Sequence, residues 1–175
     1  MPADRFVSEL NAQVGREFAA EQQYVAAAVY YDEQTLPQLA GFFYEQAKEE
    51  RTHALMMVKY LIDTGAKAVV PGVDAPKTTF GNFVEPIELA LQQEKTVGEQ
   101  ISDLVGVARD EKDYLSEQFV QWFLKEQIEE VALMQSLLDV ARRAGEQPLL
   151  VEDFLARENL RGGGADPTAP AIAGE

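Results

Sequence analysis

Apolar residues recur at spacings of three and four along four long stretches, from about Asp4 to Glu33, from Pro37 to just before Gly65, from Pro86 to near Glu111 and from after Asp113 to Gly145. That period is the mark of amphipathic helices, and no alternating run argues for a sheet. Asp4 and Asp113 suit N-cap positions and Pro37 a first helical turn, while Gly65 and Gly145 suit helix stops. The first and second stretches join through Glu33 to Leu36 and the third and fourth near Lys112, so each pair is expected to fold as an antiparallel hairpin. Between the hairpins, Gly65 to Glu85 carries Pro71, Gly72, Pro76 and Gly81 and is long enough to run back along helices of roughly 40 Å. The pattern predicts an all-α four-helix bundle with a long crossover between helices two and three. Pro148 to about Leu160 reads as a short C-terminal fifth helix, and Gly162-Gly163-Gly164 opens a tail rich in Gly, Ala and Pro. The expected organisation is one domain over 1–161 and a disordered tail over 162–175. Gly15, Gly41, Gly98 and Gly106 fall inside expected helices, each at a cost of roughly 1 kcal/mol if exposed.

Each inward stripe is interrupted by polar residues near its middle. Helix three reads Ile87, Ala90, Glu94, Val97, Ile101, Leu104; helix four reads Phe119, Phe123, Gln127, Glu130, Met134, Leu137. Helix two reads Leu39, Phe42, Gln46, Glu50, His53, Met57, and helix one carries Leu10, Val14, Glu17, Tyr24, Ala28 and Tyr31, with Glu21 near that face. A buried, unpaired carboxylate costs several kcal/mol, so it must be protonated, paired or metal-bound. Lys48, Lys59, Lys95 and Lys125 all fall off the stripes. Glu17 and Glu94, Glu50 and Gln127, and His53 and Glu130 each lie 77 positions apart, as do Glu49 and Glu126. The hairpins therefore read as degenerate copies about a pseudo-twofold axis, with Glu17, Glu50, His53, Glu94, Gln127 and Glu130 converging at one level. Glu50-x-x-His53 puts two donors one turn apart. The four carboxylates would balance two divalent cations; oxygen ligands alone suit Mg or Ca, and the imidazole moves the preference toward Fe, Mn or Zn. Two irons bridged by Glu50 follow the general pattern of carboxylate bundles with paired Glu-x-x-His motifs, from which Gln127-x-x-Glu130 departs.

Composition narrows the function. Thirty acidic against fifteen basic residues give a net charge of −15. Nucleic acid and anionic membranes are poor partners for such a chain, whereas cations are good ones. Apolar residues at 46% speak against disorder. Cysteine is absent, which excludes thiolate chemistry, and His53 is the sole histidine. No basic-then-apolar leader and no membrane-length apolar run is evident, so a cytoplasmic location is expected.

The Glu17, Tyr24, Glu49-Glu50-Arg51-Thr52-His53, Glu94 and Gln127/Glu130 segments, with the crossover and the fifth helix, resemble a prokaryotic haem-free ferritin over about residues 5 to 160. The resemblance implies a ferroxidase that binds Fe(II) at an intrasubunit diiron centre. It would oxidise the iron with dioxygen or peroxide and store ferric mineral inside a homo-oligomeric cage of 24 chains. It implies Glu17, Glu50 and His53 at the first iron and Glu50, Glu94 and Glu130 at the second, with Gln127 nearby. A third iron position would fall on Glu49, Glu126, Glu129 and Glu130. Tyr24 joins the catalytic set beside the centre, and Trp122 is a nearby aromatic with a packing or redox role. Arg51 stands where bacterioferritins place a haem-ligating Met, so haem is not expected. Glu117 maps to the acidic lining of a threefold pore, which Val120 would make less acidic. The competing readings are another diiron oxidase or peroxidase on the same bundle, or a metal-free structural bundle. A DNA-protecting mini-ferritin is disfavoured by charge and by the fifth helix. The tail is either a leftover or a docking peptide for an unidentified partner.

Overall fold

The turns within the two expected hairpins share a backbone pattern. Thr35 and Lys112, 77 positions apart, both take left-handed backbone, with φ of 59° and 56°. Around the first, the Thr35 N–H bonds the Asp32 carbonyl and Leu36 N–H the Tyr31 carbonyl; around the second, Lys112 N–H bonds Arg109 and Asp113 N–H bonds Ala108. The duplication visible in the sequence thus extends to the backbone of the turns, at a conformational cost neither residue would bear without the helices packed on either side.

The computed structural model describes residues 1–158 and 166–174. Among these, five helices form and no strand: α1 Asp4–Glu33, α2 Pro37–Asp63, α3 Glu85–Asp110, α4 Tyr114–Ala144 and α5 Pro148–Arg157. Helix α1 is capped by Ala3 instead of Asp4, which sits in the first turn where its charge complements the helix dipole. Asp113 caps α4 as expected, its carboxylate accepting from Ser116 N–H at 3.2 Å and from Ala3 N–H at 3.0 Å. Glu152 of α5, buried, accepts from the backbone of Gln38 and Leu39 at 2.8 Å each and so closes the N-terminus of α2. No helix among the described residues is long and apolar enough to cross a membrane.

The core consists of two apolar clusters. One gathers Tyr24, Tyr31, Leu39, Phe43, Ile87, Met134 and Leu137. The other gathers Phe6, Leu10, Met57, Leu61, Ile101, Leu104 and Phe123. Every long helix contributes to both. Helices α1 and α4 run from the second cluster to the first, and α2 and α3 run the opposite way. The crossover must therefore return along the bundle, and it does so against α1. Asn11 bonds Lys67 C=O and Val69 N–H, Gln23 clamps both backbone groups of Lys77 at 2.9 Å, and the Tyr31 hydroxyl reaches Phe83 C=O at 2.6 Å. Gly15 makes the passage possible, since a Cβ there would lie 2.6 Å from Pro71 Cγ. Gly41 and Gly106 meet nothing within 4 Å, so no contact in the described chain explains them.

The tail, expected to be disordered, touches the bundle where it is described. Ala169, Ile172 and Ala173 pack on the second cluster, and Ala173 N–H bonds Leu55 C=O. Asp166 accepts from Trp122 Nε1 at 3.2 Å and pairs with Lys125 at 3.3 Å. These anchors hold residues that composition alone marks as flexible. Residues 162–165 and 175 of that expectation, and the end of the expected fifth helix at 159–160, lie outside the described residues.

Candidate metal centre

The two apolar clusters do not meet. Between them, at mid-bundle, lie Glu17, Glu50, His53, Glu94, Gln127 and Glu130, one or two from each long helix and all buried. The convergence expected from the 77-residue offset is therefore the observed geometry. Ligand atoms of Glu17, Glu50 and His53 lie within 4.8 Å of one another. His53 Nδ1 stands 3.6 Å from Glu50 Oε2, and the imidazole is wedged edge-on between Trp122 and Phe123.

Glu94, on the far side, is held differently. Tyr24 donates its hydroxyl to Glu94 Oε1, and Gln127 Nε2 donates both to Glu94 Oε2 and to the Glu94 carbonyl, the latter at 3.0 Å. Gly98 makes this approach possible, because a Cβ there would stand 3.2 Å from Gln127 Cγ. Gly98→Ala is therefore expected to displace Gln127 by a few tenths of an ångström. We expect it to slow any chemistry at this position about threefold without lowering the thermal midpoint, in parallel rate and unfolding measurements.

The electrostatics favour cations. Oε2 of Glu17 and Oε2 of Glu50 are buried without a hydrogen-bond partner. No salt bridge among the described residues joins Glu17, Glu50 or Glu94 to a Lys or Arg. Burial, reinforced by the charges of Glu94 and Glu17, pushes the Glu50 carboxyl well above the usual carboxylate range. Burial also raises Glu94, against the lowering effect of Tyr24 and Gln127. Burial and the adjacent Glu94 raise the Tyr24 hydroxyl, which keeps it a donor at neutral pH. A donor set of carboxylates and one imidazole, short of positive charge, suits divalent metal ions.

A second cluster adjoins the first. Glu49, Glu126 and Glu130 bring carboxylate oxygens within 4.8 Å of one another, and of these three Glu130 is the buried one. Burial raises the Glu126 carboxyl. Glu129, expected with them, is exposed and lies outside that group, 4.0 Å from Lys125. Gln46, a polar break in the helix-two stripe without an expected role, donates to Glu49 at 3.1 Å and to Glu130 at 3.2 Å, tying together two carboxylates of this second cluster. Gln13 is likewise absent from the expected set, yet it donates to Glu17 at 2.8 Å; its position one turn before Glu17 is the available sequence signal. Trp122 packs on His53 and spends its N–H on the tail. Glu21 pairs with Arg51 at 3.5 Å, and Glu117 accepts from Arg109 at 2.7 Å. Val120 is fully buried in the second core cluster, so the expectation that it lines a pore is corrected: its side chain faces the interior.

Residues 7–144 match the model of the ferritin-like domain family. Over 170 residues, 97% of this chain and 93% of the relative, the sequence is 52% identical to ferritin BfrB of Mycolicibacterium smegmatis. It is 36% identical over 146 residues to the bacterial non-heme ferritin of Staphylococcus aureus, covering 83% of this chain and 88% of that one. The fold superposes on an open pore ferritin from the archaeon Archaeoglobus fulgidus with a TM-score of 0.85 at 27% identity, covering 89% of this chain and 98% of that chain. A bundle with a paired-hairpin register, a carboxylate-lined middle and such relatives belongs to the ferritin family, in its prokaryotic branch.

Proposed function

We propose that this iron-storage protein is a ferroxidase whose substrate is Fe(II). The observation that carries the reading is the buried set Glu17, Glu50, His53, Glu94 and Glu130 between two apolar clusters, with two carboxylate oxygens lacking any partner. Glu17, Glu50 and His53 take the first iron; Glu50, Glu94 and Glu130 take the second, with Gln127 and Tyr24 fixing Glu94. Two Fe(II) give up one electron each, and dioxygen accepts the two electrons with two protons as hydrogen peroxide; peroxide itself is the alternative oxidant. Two divalent ions cancel four buried carboxylate charges, which removes the desolvation penalty that disfavours the ionised site. The adjoining Glu49, Glu126 and Glu130 form a third iron position on the way out, with Glu129 at its solvent edge.

In the same reading, 24 chains enclose the ferric mineral, haem is not used, and the protein works in the cytoplasm. The ferritin names of its relatives support the storage role, and the exposed acidic surface implied by a net charge of −15 draws cations inward. Aerobic addition of Fe(II) tests the reading. Oxidation should show a fast phase that saturates near two irons per chain, and light scattering should report a particle of about 24 chains. An oxidation rate equal to that of buffer overturns it.

A further inference from the structure

The pseudo-twofold relation fails one turn before the site glutamates. Gln13 precedes Glu17 by four residues, whereas the position 77 residues further on, four before Glu94, is the buried Ala90. Glu17 thus has a side-chain support that Glu94 lacks from its own helix, while Glu94 depends on Tyr24 and Gln127 from other helices.

That support is oriented. Gln13 is completely buried, and its Nε2 donates to Glu17 Oε1 at 2.8 Å and to Gln100 Oε1 at 3.3 Å. Its Oε1 accepts from Arg16 Nη1 at 2.9 Å. A reversed amide would set oxygen against the Glu17 carboxylate and N–H groups against the guanidinium, so both neighbours select one orientation. The guanidinium on the carbonyl polarises the amide and strengthens the N–H it offers to Glu17. With Oε1 engaged, the partnerless Oε2 is the oxygen Glu17 has left for a ligand.

We propose that Gln13 is a positioning residue that presents Glu17 to the first metal position as a single-oxygen ligand, with Arg16 setting the orientation of its amide. The proposal rests on the diiron reading above. Because the second position draws on Glu94 and Glu130, the effect is confined to the first.

The test is an anaerobic titration of the full chain with Co(II), followed by calorimetry and visible absorption. Co(II) bound through the His53 nitrogen gives a spectrum distinct from Co(II) held by oxygen alone, so the two positions are read separately. Gln13→Met keeps the length of the side chain and removes the donor. It is expected to weaken the first position about tenfold and leave the second within about twofold, as loss of an outer partner does. Arg16→Met, on an exposed side chain, is expected to weaken the first position about threefold, the amide remaining as donor. First-position affinity within about twofold of the unaltered chain in both variants overturns the proposal, as does an equal fall at both positions. An unaltered chain that binds no pair of Co(II) ions overturns the diiron reading itself, a result separable from failure of the Gln13 variants alone.

Discussion

Glu50→Ala is expected to lower the initial rate of aerobic Fe(II) oxidation by about 100-fold or more, and His53→Ala by about 10- to 100-fold. Loss of even an outer partner of a metal ligand costs about 10- to 100-fold, so loss of a carboxylate common to both positions belongs at or beyond the upper end. In the proposed diiron reading Glu50 is that carboxylate: its ligand atoms lie within 4.8 Å of those of Glu17 and His53, and the charges of Glu94 and Glu130 on the other side help to raise its carboxyl. In the same reading His53 contributes a donor to the first position only, which sets its smaller effect. Glu126→Ala, in the adjoining cluster, is expected to leave the initial rate within about threefold while slowing later turnovers, because its carboxylate does not reach the first position. Stopped-flow absorbance over the first two irons per chain separates these effects. An unchanged initial rate in Glu50→Ala removes the site assignment.

The sequence foretold the bundle because helix periodicity, turn spacing and the 77-residue offset are all properties of position alone. The same offset recovered the level at which the six central residues meet, and the structure adds Thr35 and Lys112 to that register. What sequence could not show depends on which side chain faces which. Val120 sits on a stripe edge where one face is core and the next is surface, and its burial in the second apolar cluster decides for the core. The tail has the composition of a flexible segment, yet one Asp166 finds Trp122 and Lys125, partners more than forty residues away in sequence. Gln13 and Gln46 are invisible for a related reason. An amide in a helix, even on the inward stripe as Gln46 is, does not announce its partner, and only burial beside Glu17 or between Glu49 and Glu130 gives it a task. Asn11 and Gln23, which hold the crossover, are exposed-side amides with no periodic signature at all.

Glu50→Gln is expected to stabilise the metal-free protein at neutral pH by about 1–2 kcal/mol while abolishing the response to metal. The direction follows from the raised Glu50 carboxyl, whose causes are burial first and then the charges of Glu94 and Glu17. The folded chain keeps its proton past the pH at which the unfolded chain has released it. Folded protein therefore binds more protons in that window, and stability falls as pH rises from the usual carboxylate range through the folded value. Below that window Glu50 is a neutral acid, which glutamine closely resembles, so the two proteins should unfold at the same temperature. Above it, the unaltered chain carries the cost of an ionised, partly unpartnered carboxylate and glutamine does not, so the curves should separate with the variant higher. Divalent metal reverses the order. It binds the ionised form, its affinity grows as protons leave, and it raises the midpoint of the unaltered chain alone. Thermal unfolding from pH 4 to pH 8, with and without Zn(II) as a redox-inert ion, measures all three relations. A variant less stable than the unaltered metal-free chain at pH 8 would mean that Glu50 holds the bundle together through contacts that glutamine cannot make, and not that the fold tolerates it for the sake of the metal.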